Sequence, residues 1–344
     1  MQIQNNAQLR PFHTFGLSQY CQVLVQAETV EDLIAIYQSA QWQSLPKLMI
    51  GKGSNMLFTE AYQGVVIVNS LQGIDYSQTD THHLLHVSGG EDWPSLVEWC
   101  VEHGYPGLEN LALIPGCAGS APIQNIGAYG LELKQVCDYV DYLCLESFEV
   151  KRLSNAECQF GYRDSVFKHR LKDKAIVTAI GLKLEKQWQP NLSYGPLQSL
   201  EKQSAVPRDV FDIVVQVRQE KLPDPVMMGN AGSFFKNPII STAQYEVLKA
   251  QFPQLVAYPA GDAMKLAAGW LIDQCGLKGH RIGGAMVHSK QALVLVNTGD
   301  AIADDVVKLA SYVRSQVLSK FDVELEHEVR FMGAQQEVYL KELV

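Results

Sequence analysis

The fold of this chain is decided by two glycine-rich stretches in its first half, Gly51-Lys-Gly-Ser-Asn55 and Ile114-Pro-Gly-Cys-Ala-Gly-Ser-Ala-Pro-Ile-Gln-Asn-Ile-Gly-Ala-Tyr-Gly130. Glycine has no Cβ, so its backbone turns freely and its N–H group can approach a ligand closely. Successive backbone N–H groups form concave sites for anions. We therefore predict that the two stretches are the walls of one cleft for a phosphate-bearing cofactor, with side-chain chemistry supplied from elsewhere.

The first stretch joins two predicted strands. Lys47–Ile50 precedes it, and the apolar runs Met56–Phe58 and 65–68 follow it. A Rossmann nucleotide site instead requires a third glycine and a helix that opens directly after the loop, and Met56 stands in that third position. The sequence thus argues against a Rossmann site, although a tight turn without a ligand explains this segment equally well by itself.

The second stretch is too irregular for a helix and too long for a turn. Gly116, Gly119, Gly127 and Gly130 are spaced along it among small residues. Structureless loops of this length inside compact domains are usually functional or disordered. A plain surface loop is the alternative, and we favour a cofactor-binding loop.

Composition restricts the class of partner. The chain has 344 residues, 47% of them hydrophobic, and a formal net charge of −9. The length predicts two or three domains, and the acidic balance argues against nucleic acid, because binding a phosphate backbone needs a dense basic surface. The first seven residues lack a secretory signal and no apolar run could span a bilayer, so we expect a cytoplasmic protein without membrane association.

Cysteine and histidine usage predicts no metal site. The seven cysteines include no CxxC pair, which favours scattered reduced thiols over a disulfide framework. His82, His83 and His86 lie on a strand-like run without a carboxylate or thiolate at ligand spacing, so surface histidines are the simpler interpretation.

Periodicity and turn residues predict the other elements. In the first domain they are a helix over 29–40 capped by Thr29 and Asp32, a strand over 84–87, a helix from Pro94 to Gly104, a hairpin of 139–145 with 150–153, and a strand over 175–184. Residues 185–206 are predicted to be a linker and a loop that carries Tyr194. The second domain then has helices from Pro207, over 266–275 and over 304–318, and strands over 292–296 and 323–331.

Two segments of the second domain carry candidate chemistry. In Asn230-Ala-Gly-Ser-Phe-Phe-Lys-Asn-Pro238, Ser233 can present its hydroxyl to a ligand, and because no histidine stands nearby, proton donation is a better role than nucleophilic attack; a simple turn serine is the alternative. In the predicted strand 323–331, alternation projects Glu328 and Arg330 side by side. A solvated charged face on an edge strand explains that pair as well.

Basic residues are sparse enough to be informative. Arg163, in Phe160-Gly-Tyr-Arg-Asp-Ser165, could bind a carboxylate in a bidentate manner. Arg218 and Lys221 at the end of the Pro207 helix suit a phosphate. Cations at that position also stabilise the helix dipole, which is an equally good explanation.

These segments together resemble a known family, the UDP-N-acetylenolpyruvoylglucosamine reductases, or MurB flavoenzymes, over nearly the whole chain. The matching motifs are Thr14-Phe-Gly16, Gly51-Lys-Gly-Ser-Asn55, Gly107-Leu-Glu-Asn-Leu-Ala-Leu-Ile-Pro-Gly116, Gln124-Asn-Ile-Gly-Ala-Tyr-Gly130, Phe160-Gly-Tyr-Arg-Asp-Ser165, Gly232-Ser-Phe-Phe-Lys-Asn-Pro238 and Leu325-Glu-His-Glu-Val-Arg-Phe331. The glycine loops alone indicate only the broader vanillyl-alcohol-oxidase-like fold, and the last two motifs indicate the reductase. Tyr194 suggests the subtype with a substrate-covering tyrosine, and His327 stands where many relatives have proline.

The resemblance implies an α+β fold. An FAD-binding region of the vanillyl-alcohol-oxidase (PCMH) type would span 15–185, with subdomains of about 1–75 and 76–185, and an α/β substrate-binding domain would span 186–344, with the strand 323–331 returning to the active site. NADPH would reduce non-covalently bound FAD, which would reduce the enolpyruvyl group of the UDP-sugar substrate. A monomer is expected.

The resemblance also assigns roles by residue. The catalytic residues would be Arg163, Ser233 and Glu328, with Arg163 on the substrate carboxylate, Glu328 beside it and Ser233 donating a proton to C2. Substrate contacts would come from Tyr129, Tyr194, Arg218, Lys221, Asn237 and Gln291. Cofactor contacts would come from Gly51, Lys52, Gly53, Ser54, Asn55, Pro115, Gly116, Gly119, Ser120, Gln124, Asn125, Gly127, Ala128 and Arg330.

Two rival functions remain at this point. An FAD-dependent alcohol or lactone oxidoreductase of the same fold would use the glycine loops equally well but leaves the Ser233 segment unexplained. A flavin-free nucleotide-sugar sensor would leave the complete glycine loops without a purpose.

Overall fold

The computed structural model describes residues 1–343, which form two compact units. Unit 1 comprises Met1–Asn5, Val23–Lys52 and Val65–Glu220, and unit 2 comprises Asn6–Gln22, Gly53–Gly64 and the chain from Lys221 onward. Among the residues described, no helix is both long and apolar enough to cross a membrane.

Helices and strands alternate irregularly along the chain. The helices are α1 (Val30–Gln38), α2 (Trp93–Glu102), α3 (Pro207–Lys221), α4 (Thr242–Gln251), α5 (Ala268–Gln274) and α6 (Ala303–Phe321). The strands are β1 (Gln2–Gln8), β2 (Tyr20–Ala27), β3 (Lys47–Ile50), β4 (Met56–Phe58), β5 (Tyr62–Asn69), β6 (Ile74–Gln78), β7 (His82–Ser88), β8 (Gly127–Ala128), β9 (Leu131–Glu132), β10 (Cys137–Cys144), β11 (Val150–Ser154), β12 (Ala175–Glu185), β13 (Asn230–Ser233), β14 (Ile239–Ser241), β15 (Ala257–Ala260), β16 (Ala263–Leu266), β17 (Arg281–Ile282), β18 (Ala285–Val287), β19 (Val294–Asn297), β20 (Arg330–Met332) and β21 (Glu337–Val338).

Unit 1 is built on a five-stranded antiparallel sheet with the order β11-β10-β12-β7-β6. The buried face of α2, including Trp93 and Leu96, packs in one core with the buried residues of β10 and β12. Val210, Phe211 and Val214 of α3 join that core, as their helical spacing predicts. A four-stranded sheet has the order β1-β2-β5-β3, and β3 runs parallel to β5.

Unit 2 combines three small sheets with α4, α5 and α6. Their orders are β13-β19-β18-β17, β14-β16-β15 and β21-β20-β4. Helix α6 buries Val306, Leu309, Val313 and Val317 at three- and four-residue spacing, which gives it one continuous apolar face. That face packs in a single core with the phenylalanines Phe234 and Phe331 and their neighbours.

Most predicted elements are confirmed with shifts of one to three residues at their ends. The Thr29 hydroxyl accepts a hydrogen bond from Asp32 N at 3.1 Å, so the predicted N-cap begins α1. Pro94 lies in the first turn of α2, and Gly104 adopts φ +73° just beyond its end. The predicted hairpin is the antiparallel pair β10 and β11.

The predicted strand over 323–331 is wrong in extent. Only β20 is a strand there, and upstream of it a single isolated bridge joins His327 to Phe235. The carbonyl oxygen of Phe234 accepts from the N–H of Glu328 at 2.8 Å and lies 3.5 Å from the N–H of Val329, so the ladder ends at this point. The chain then pairs with β4 in parallel. The predicted alternation of buried and exposed side chains nevertheless holds, and β20 is the central strand of its sheet, not an edge.

The compact units are divided differently from the predicted functional domains. Residues 186–220, including the predicted linker, group with unit 1, whereas 15–22 and 53–64 group with unit 2. The linker segment packs because Leu197 is fully buried and Trp188 bonds to the Glu109 carboxylate. The boundary at 185/186 remains a prediction about function.

Candidate functional site

In unit 1 the two glycine stretches lie against each other. A Cβ added to Gly51 would overlap the Sγ of Cys117, so the first stretch can approach the second only because residue 51 is glycine. The neighbouring Lys52 is exposed and lies 3.6 Å from Asp92, which caps α2. The two stretches are therefore adjacent at Gly51 and Cys117, and their role as walls of a cofactor cleft stays a prediction.

Backbone hydrogen bonds hold the second stretch at its N-terminal end. Gly116 accepts from Trp93 N at 3.0 Å, and Gly119 N donates to Gly89 O at 2.7 Å. A Cβ on Gly119 would lie 2.8 Å from that same Gly89 oxygen, well inside van der Waals contact. The stretch is thus a folded loop with a 3₁₀ turn at Ala118–Ser120.

Two predicted cofactor residues have side chains that are hydrogen-bonded to protein groups, Ser120 within the loop and Asn125 to neighbouring segments. The Ser120 hydroxyl donates to Cys117 O at 2.8 Å. Asn125 is fully buried with φ +44°, and its amide donates to Glu132 at 3.0 Å and to Gly161 O at 2.9 Å. These hydrogen bonds hold the shape of the loop, and the cofactor contacts of both residues stay a prediction. Pro115, Gln124 and Ala128 lie along the same loop in unit 1.

Arg163 is held in a rare backbone conformation next to this loop. Its φ is +53°, which costs a non-glycine residue on the order of 1–3 kcal/mol and recurs at functional sites. Its Nη2 donates to Gly127 O at 3.2 Å, and Lys168 Nζ donates to the Arg163 carbonyl at 2.8 Å. The guanidinium is therefore fixed at the end of the loop that the sequence assigned to the cofactor.

Tyr129, Tyr194 and Arg218 are brought together in unit 1 from three separate segments. The two tyrosine rings meet edge to face with centroids 5.7 Å apart. Burial lowers the pKa of the Arg218 guanidinium, and burial also raises the pKa of Tyr129, an effect that Arg218 opposes. The enclosed Nε of Arg218 has no hydrogen-bond partner among residues 1–343. An enclosed donor on a cation is suited to an anionic ligand.

The loop that carries Tyr194 is fastened at its base. Asn191 Nδ2 donates to Gly130 O at 2.8 Å, and Asn110 Nδ2 donates to Asn191 O at 3.0 Å. Further back, Trp188 Nε1 donates to the Glu109 carboxylate at 2.5 Å, and burial raises the pKa of Glu109. Tyr194 itself is 49% exposed, so the loop is anchored at its base and open at the tyrosine.

In unit 2, Gly53 packs against the segment that precedes Thr14. Gly53 has φ +58°, and a Cβ on it would overlap the Phe12 carbonyl and lie 2.6 Å from His13 Cα. Thr14 N donates to Gly53 O at 3.1 Å. His13 is 4% exposed, and burial lowers its pKa to about 4. Both the dihedral and the close approach therefore require glycine at position 53.

Asn55 links this loop to the C-terminal segment. Its amide donates to Glu328 O at 3.2 Å, and its carbonyl accepts from Arg330 N at 3.1 Å. The Arg330 guanidinium forms two hydrogen bonds with Glu337, at 3.2 and 3.1 Å. Arg330 is thus paired within the protein, and Ser54 lies partly exposed in the same loop.

Ser233 ends β13 at a turn that a buried asparagine builds. Asn230 Nδ2 donates to Pro223 O and Met228 O, and Asn230 Oδ1 accepts from Gly232 N at 2.9 Å. Gly232 has φ +71°. Ser233 pairs with Val294 of β19 and is partly exposed, so its position is set by the sheet.

The structure brings Ser233 and Glu328 to neighbouring segments of unit 2. Glu328 N donates to the carbonyl of Phe234, the residue after Ser233, at 2.8 Å. Lys236 N donates to Glu326 O at 2.9 Å in the same ladder. Arg163 belongs to unit 1, so its place beside Glu328 stays a prediction.

The remaining predicted substrate residues lie in unit 2. Asn237 Oδ1 accepts from Ala268 N at 2.9 Å, and Gln291 Oε1 is 3.4 Å from the Cβ position of Gly269. Both side chains therefore contact the start of α5. Lys221 is exposed at the end of α3.

Sequence reasoning missed the residues that support the site. Glu337, Asn230, Asn191 and Glu109 form the hydrogen bonds described above, and none was a candidate. Asn230 and Glu109 stand inside quoted motifs, and a buried polar residue within a motif is a usable signal. Glu337 gave no signal in the sequence, because only the pairing of β20 with β21 brings it close to Arg330.

Comparisons with known proteins match both halves of the chain. A family profile described as the C-terminal domain of UDP-N-acetylenolpyruvoylglucosamine reductase matches residues 224–332. A profile described as an FAD binding domain matches residues 21–145.

Relatives of similar length match the whole chain. A UDP-N-acetylenolpyruvoylglucosamine reductase of Vibrio cholerae is 63% identical over 342 residues, which cover 99% of this chain and 98% of the relative. The enzymes of that name from Vibrio vulnificus and Pasteurella multocida are 57% and 53% identical, over 100% and 96% of this chain and 99% and 97% of their own. The crystal structure of the enzyme from Thermus caldophilus is similar with a TM-score of 0.68 at 26% identity, over 96% of this chain and 99% of that one.

Proposed function

This chain belongs to the UDP-N-acetylenolpyruvoylglucosamine reductases, and from that premise we propose that Arg163, Ser233 and Glu328 carry its chemistry. The reaction is the NADPH-dependent, FAD-mediated reduction of UDP-N-acetyl-3-O-(1-carboxyvinyl)-glucosamine to UDP-N-acetylmuramate in peptidoglycan precursor synthesis. The family, the α+β fold class and the activity inferred from the sequence are confirmed. The roles of single residues are the proposal.

The glycine stretches suit FAD. In unit 1, Gly51 and Gly119 leave no room for a Cβ, so small residues bring two backbone segments together, with the exposed cation Lys52 beside them. Backbone N–H groups in such a segment, with a local cation, match a pyrophosphate. FAD held there would supply the redox chemistry that carries a hydride from NADPH to C3 of the enolpyruvyl group.

Arg163 binds the substrate carboxylate in this proposal. Hydride addition at C3 moves negative charge towards that carboxylate, and a fixed cation stabilises the charge as it develops. The bonds to Gly127 O and from Lys168 support this role, because they hold the guanidinium and backbone of Arg163 before substrate arrives. Glu328 stands beside Arg163 in this proposal and acts on the same developing enolate.

Ser233 donates the proton to C2. The C2=C3 bond is reduced by hydride at C3 and a proton at C2, so a donor is needed at the second carbon. A hydroxyl is a weak acid, but the enolate carbon is strongly basic, and a positioned donor contributes about 10² to 10⁴ in rate. The single observation that supports this pairing is the hydrogen bond from Glu328 N to the Phe234 carbonyl, which places Glu328 next to the Ser233 turn.

The diphosphate and uridine are bound by Tyr194, Arg218, Lys221 and Asn237, with Tyr129 and Gln291 close to the sugar. The enclosed Nε of Arg218 supports an anion at that point. Tyr194, on a loop anchored at Asn191 and exposed at its ring, covers the bound substrate. A cytoplasmic monomer completes the proposal. The profile match over 224–332 favours the reductase over an alcohol or lactone oxidoreductase.

Two variants test these roles in separate half-reactions. Ser233→Ala should keep flavin reduction by NADPH and slow anaerobic flavin reoxidation by the enolpyruvyl substrate by about 10²-fold or more. Glu328→Gln should likewise impair reoxidation more than FAD content. Ser315→Ala, an exposed serine on α6, is the matched control. Unchanged reoxidation in Ser233→Ala would remove Ser233 from the mechanism, and a loss confined to FAD content in Glu328→Gln would remove Glu328.

A further inference from the structure

A short antiparallel ladder joins the segment around Glu328 to the segment that follows Ser233 in unit 2. Lys236 N donates to Glu326 O at 2.9 Å, and Glu328 N donates to Phe234 O at 2.8 Å. These bonds flank the bridged pair of His327 and Phe235, which is therefore a non-hydrogen-bonded pair of an antiparallel ladder. The ladder uses neither the N–H nor the C=O of His327.

The side chain of His327 makes the local connection instead. Its Nδ1 lies 2.7 Å from the carbonyl oxygen of Val329. A carbonyl oxygen can only accept, so Nδ1 carries hydrogen and donates. The ring also packs edge to face on Phe331, with centroids 4.8 Å apart. The hydrogen bond joins His327, the residue before Glu328, to Val329, the residue after it.

This hydrogen bond lies where the backbone leaves one pairing partner and joins another. The Phe234 carbonyl ends the ladder at Glu328 and Val329, and from Arg330 onward the chain pairs with β4. The backbone of Glu328 is held by its N–H on Phe234 O and by the Asn55 amide on its carbonyl, and a change in the dihedrals at this bend would redirect its side chain. The Asn55 amide at Glu328 O fixes one side, and the hydrogen bond from His327 spans the other.

We propose that His327 is a positioning residue for Glu328, and that its hydrogen bond to the Val329 carbonyl sets the direction of the Glu328 carboxyl group. The inference rests on the proposed catalytic role of Glu328. Catalytic groups that are misplaced by about 1 Å can lose on the order of 10² in rate, so a single hydrogen bond at this bend is sufficient to affect turnover.

The charge of His327 is not what the bond requires. Burial lowers its pKa, while Glu326 and Glu337 act to raise it and Lys236 acts to lower it. Nδ1 donates in the neutral ring that this burial favours and would also donate in the imidazolium. The structure therefore assigns His327 a geometric role, which an uncharged donor in the same place can fill.

Two amide variants separate the hydrogen bond from the ring. In His327→Asn the side-chain nitrogen sits close to the position of Nδ1, whereas in His327→Gln it sits close to the position of Nε2, and both variants lose the ring that packs on Phe331. We expect His327→Asn to keep substrate-driven flavin reoxidation within about threefold and His327→Gln to lose about tenfold or more. Flavin reduction by NADPH and the thermal midpoint should be alike in the two variants. Equal reoxidation rates in His327→Asn and His327→Gln would overturn the proposal.

A double variant that combines His327→Gln with Glu328→Gln distinguishes positioning of Glu328 from an independent structural role of His327. If His327 acts through Glu328, then His327→Gln should add no further loss to Glu328→Gln, whereas additive losses would mean an independent structural effect and would overturn the proposal. Full reoxidation in Glu328→Gln alone would overturn the proposed function together with this inference. A slow Glu328→Gln with indistinguishable His327→Asn and His327→Gln would overturn only the inference.

Discussion

Gly53→Ala should destabilise the protein and weaken FAD binding far more than an alanine at another left-handed glycine. Gly53 has φ +58°, and its added Cβ would overlap the Phe12 carbonyl and lie 2.6 Å from His13 Cα. Gly261, in the turn between β15 and β16, has φ +60° and nothing within 4 Å of its Cβ position. The two glycines therefore share the same dihedral cost and differ only in crowding.

The magnitudes follow from that difference. Alanine in the left-handed region costs about 1–2 kcal/mol at either site. At Gly53 the obstacles are backbone atoms, and relief to an ordinary contact of 3.4 Å requires a shift of 0.8 Å (3.4 minus 2.6) relative to His13 Cα. Overpacking that moves backbone costs about 1–3 kcal/mol more. We expect Gly261→Ala to lose about 1–2 kcal/mol and Gly53→Ala about 2–5 kcal/mol of unfolding free energy.

The assay is urea denaturation of the flavin-free forms of both variants, with FAD affinity measured by titration. Because the displaced backbone is the proposed cofactor loop, FAD affinity should fall about tenfold or more in Gly53→Ala, which corresponds to about 1.4 kcal/mol, and should be unchanged in Gly261→Ala. The reasoning is refuted if the two variants lose the same unfolding free energy and bind FAD equally.

Two further predictions concern buried titratable groups. Burial lowers the pKa of His13 from 6.5 to about 4, so the folded protein favours the neutral ring. The contribution of His13 to the unfolding free energy is therefore complete above pH 6.5 and is lost as pH falls towards 4. The pKa difference of 2.5 units corresponds to about 3 kcal/mol. The amide of His13→Gln can donate to Leu17 O as His13 Nε2 does. This variant should flatten the rise in unfolding free energy between pH 4 and 6.5. The exposed-site control is His103→Gln, and equal slopes in the two variants would contradict the prediction. Trp188→Phe removes a donor to the buried Glu109 carboxylate and should cost about 1–3 kcal/mol. The deficit should grow as pH rises, because the Glu109 pKa, raised by burial, rises further without the donor; a deficit that shrinks as pH rises would falsify the argument.

The local elements were predictable because their signals are local. The Thr29 cap, the stripe of Val210, Phe211 and Val214, and the β10–β11 hairpin depend on residues a few positions apart, and propensity and periodicity act over that distance. The strand over 323–331 failed for the opposite reason. Its alternation correctly gave the buried face, but the end of its ladder is set by one carbonyl oxygen, that of Phe234, nearly a hundred residues earlier in the chain.

The functional site also combines residues that local sequence identifies with an arrangement that only long-range contacts produce. The sequence supplied Ser233 and Glu328 as candidates, whereas their adjacency in unit 2 required the ladder of 234–236 with 326–328. Arg330 was predicted as a cofactor contact from its motif alone, and the structure shows its guanidinium paired with Glu337. Its direct contact with FAD is still a prediction, which now has to account for that pairing.

The order of residues by itself determined the family, the need for glycine in two loops and the face that each helix buries, since these depend on residue type and on spacing along one segment. Only the tertiary structure decided that Gly53 rests on His13, that Asn191 fastens the Tyr194 loop to Gly130, and that His327 spans Glu328. The physical reason is that a close contact or hydrogen bond depends on distances of a few tenths of an ångström between segments, and such distances are fixed by the packing of the whole unit.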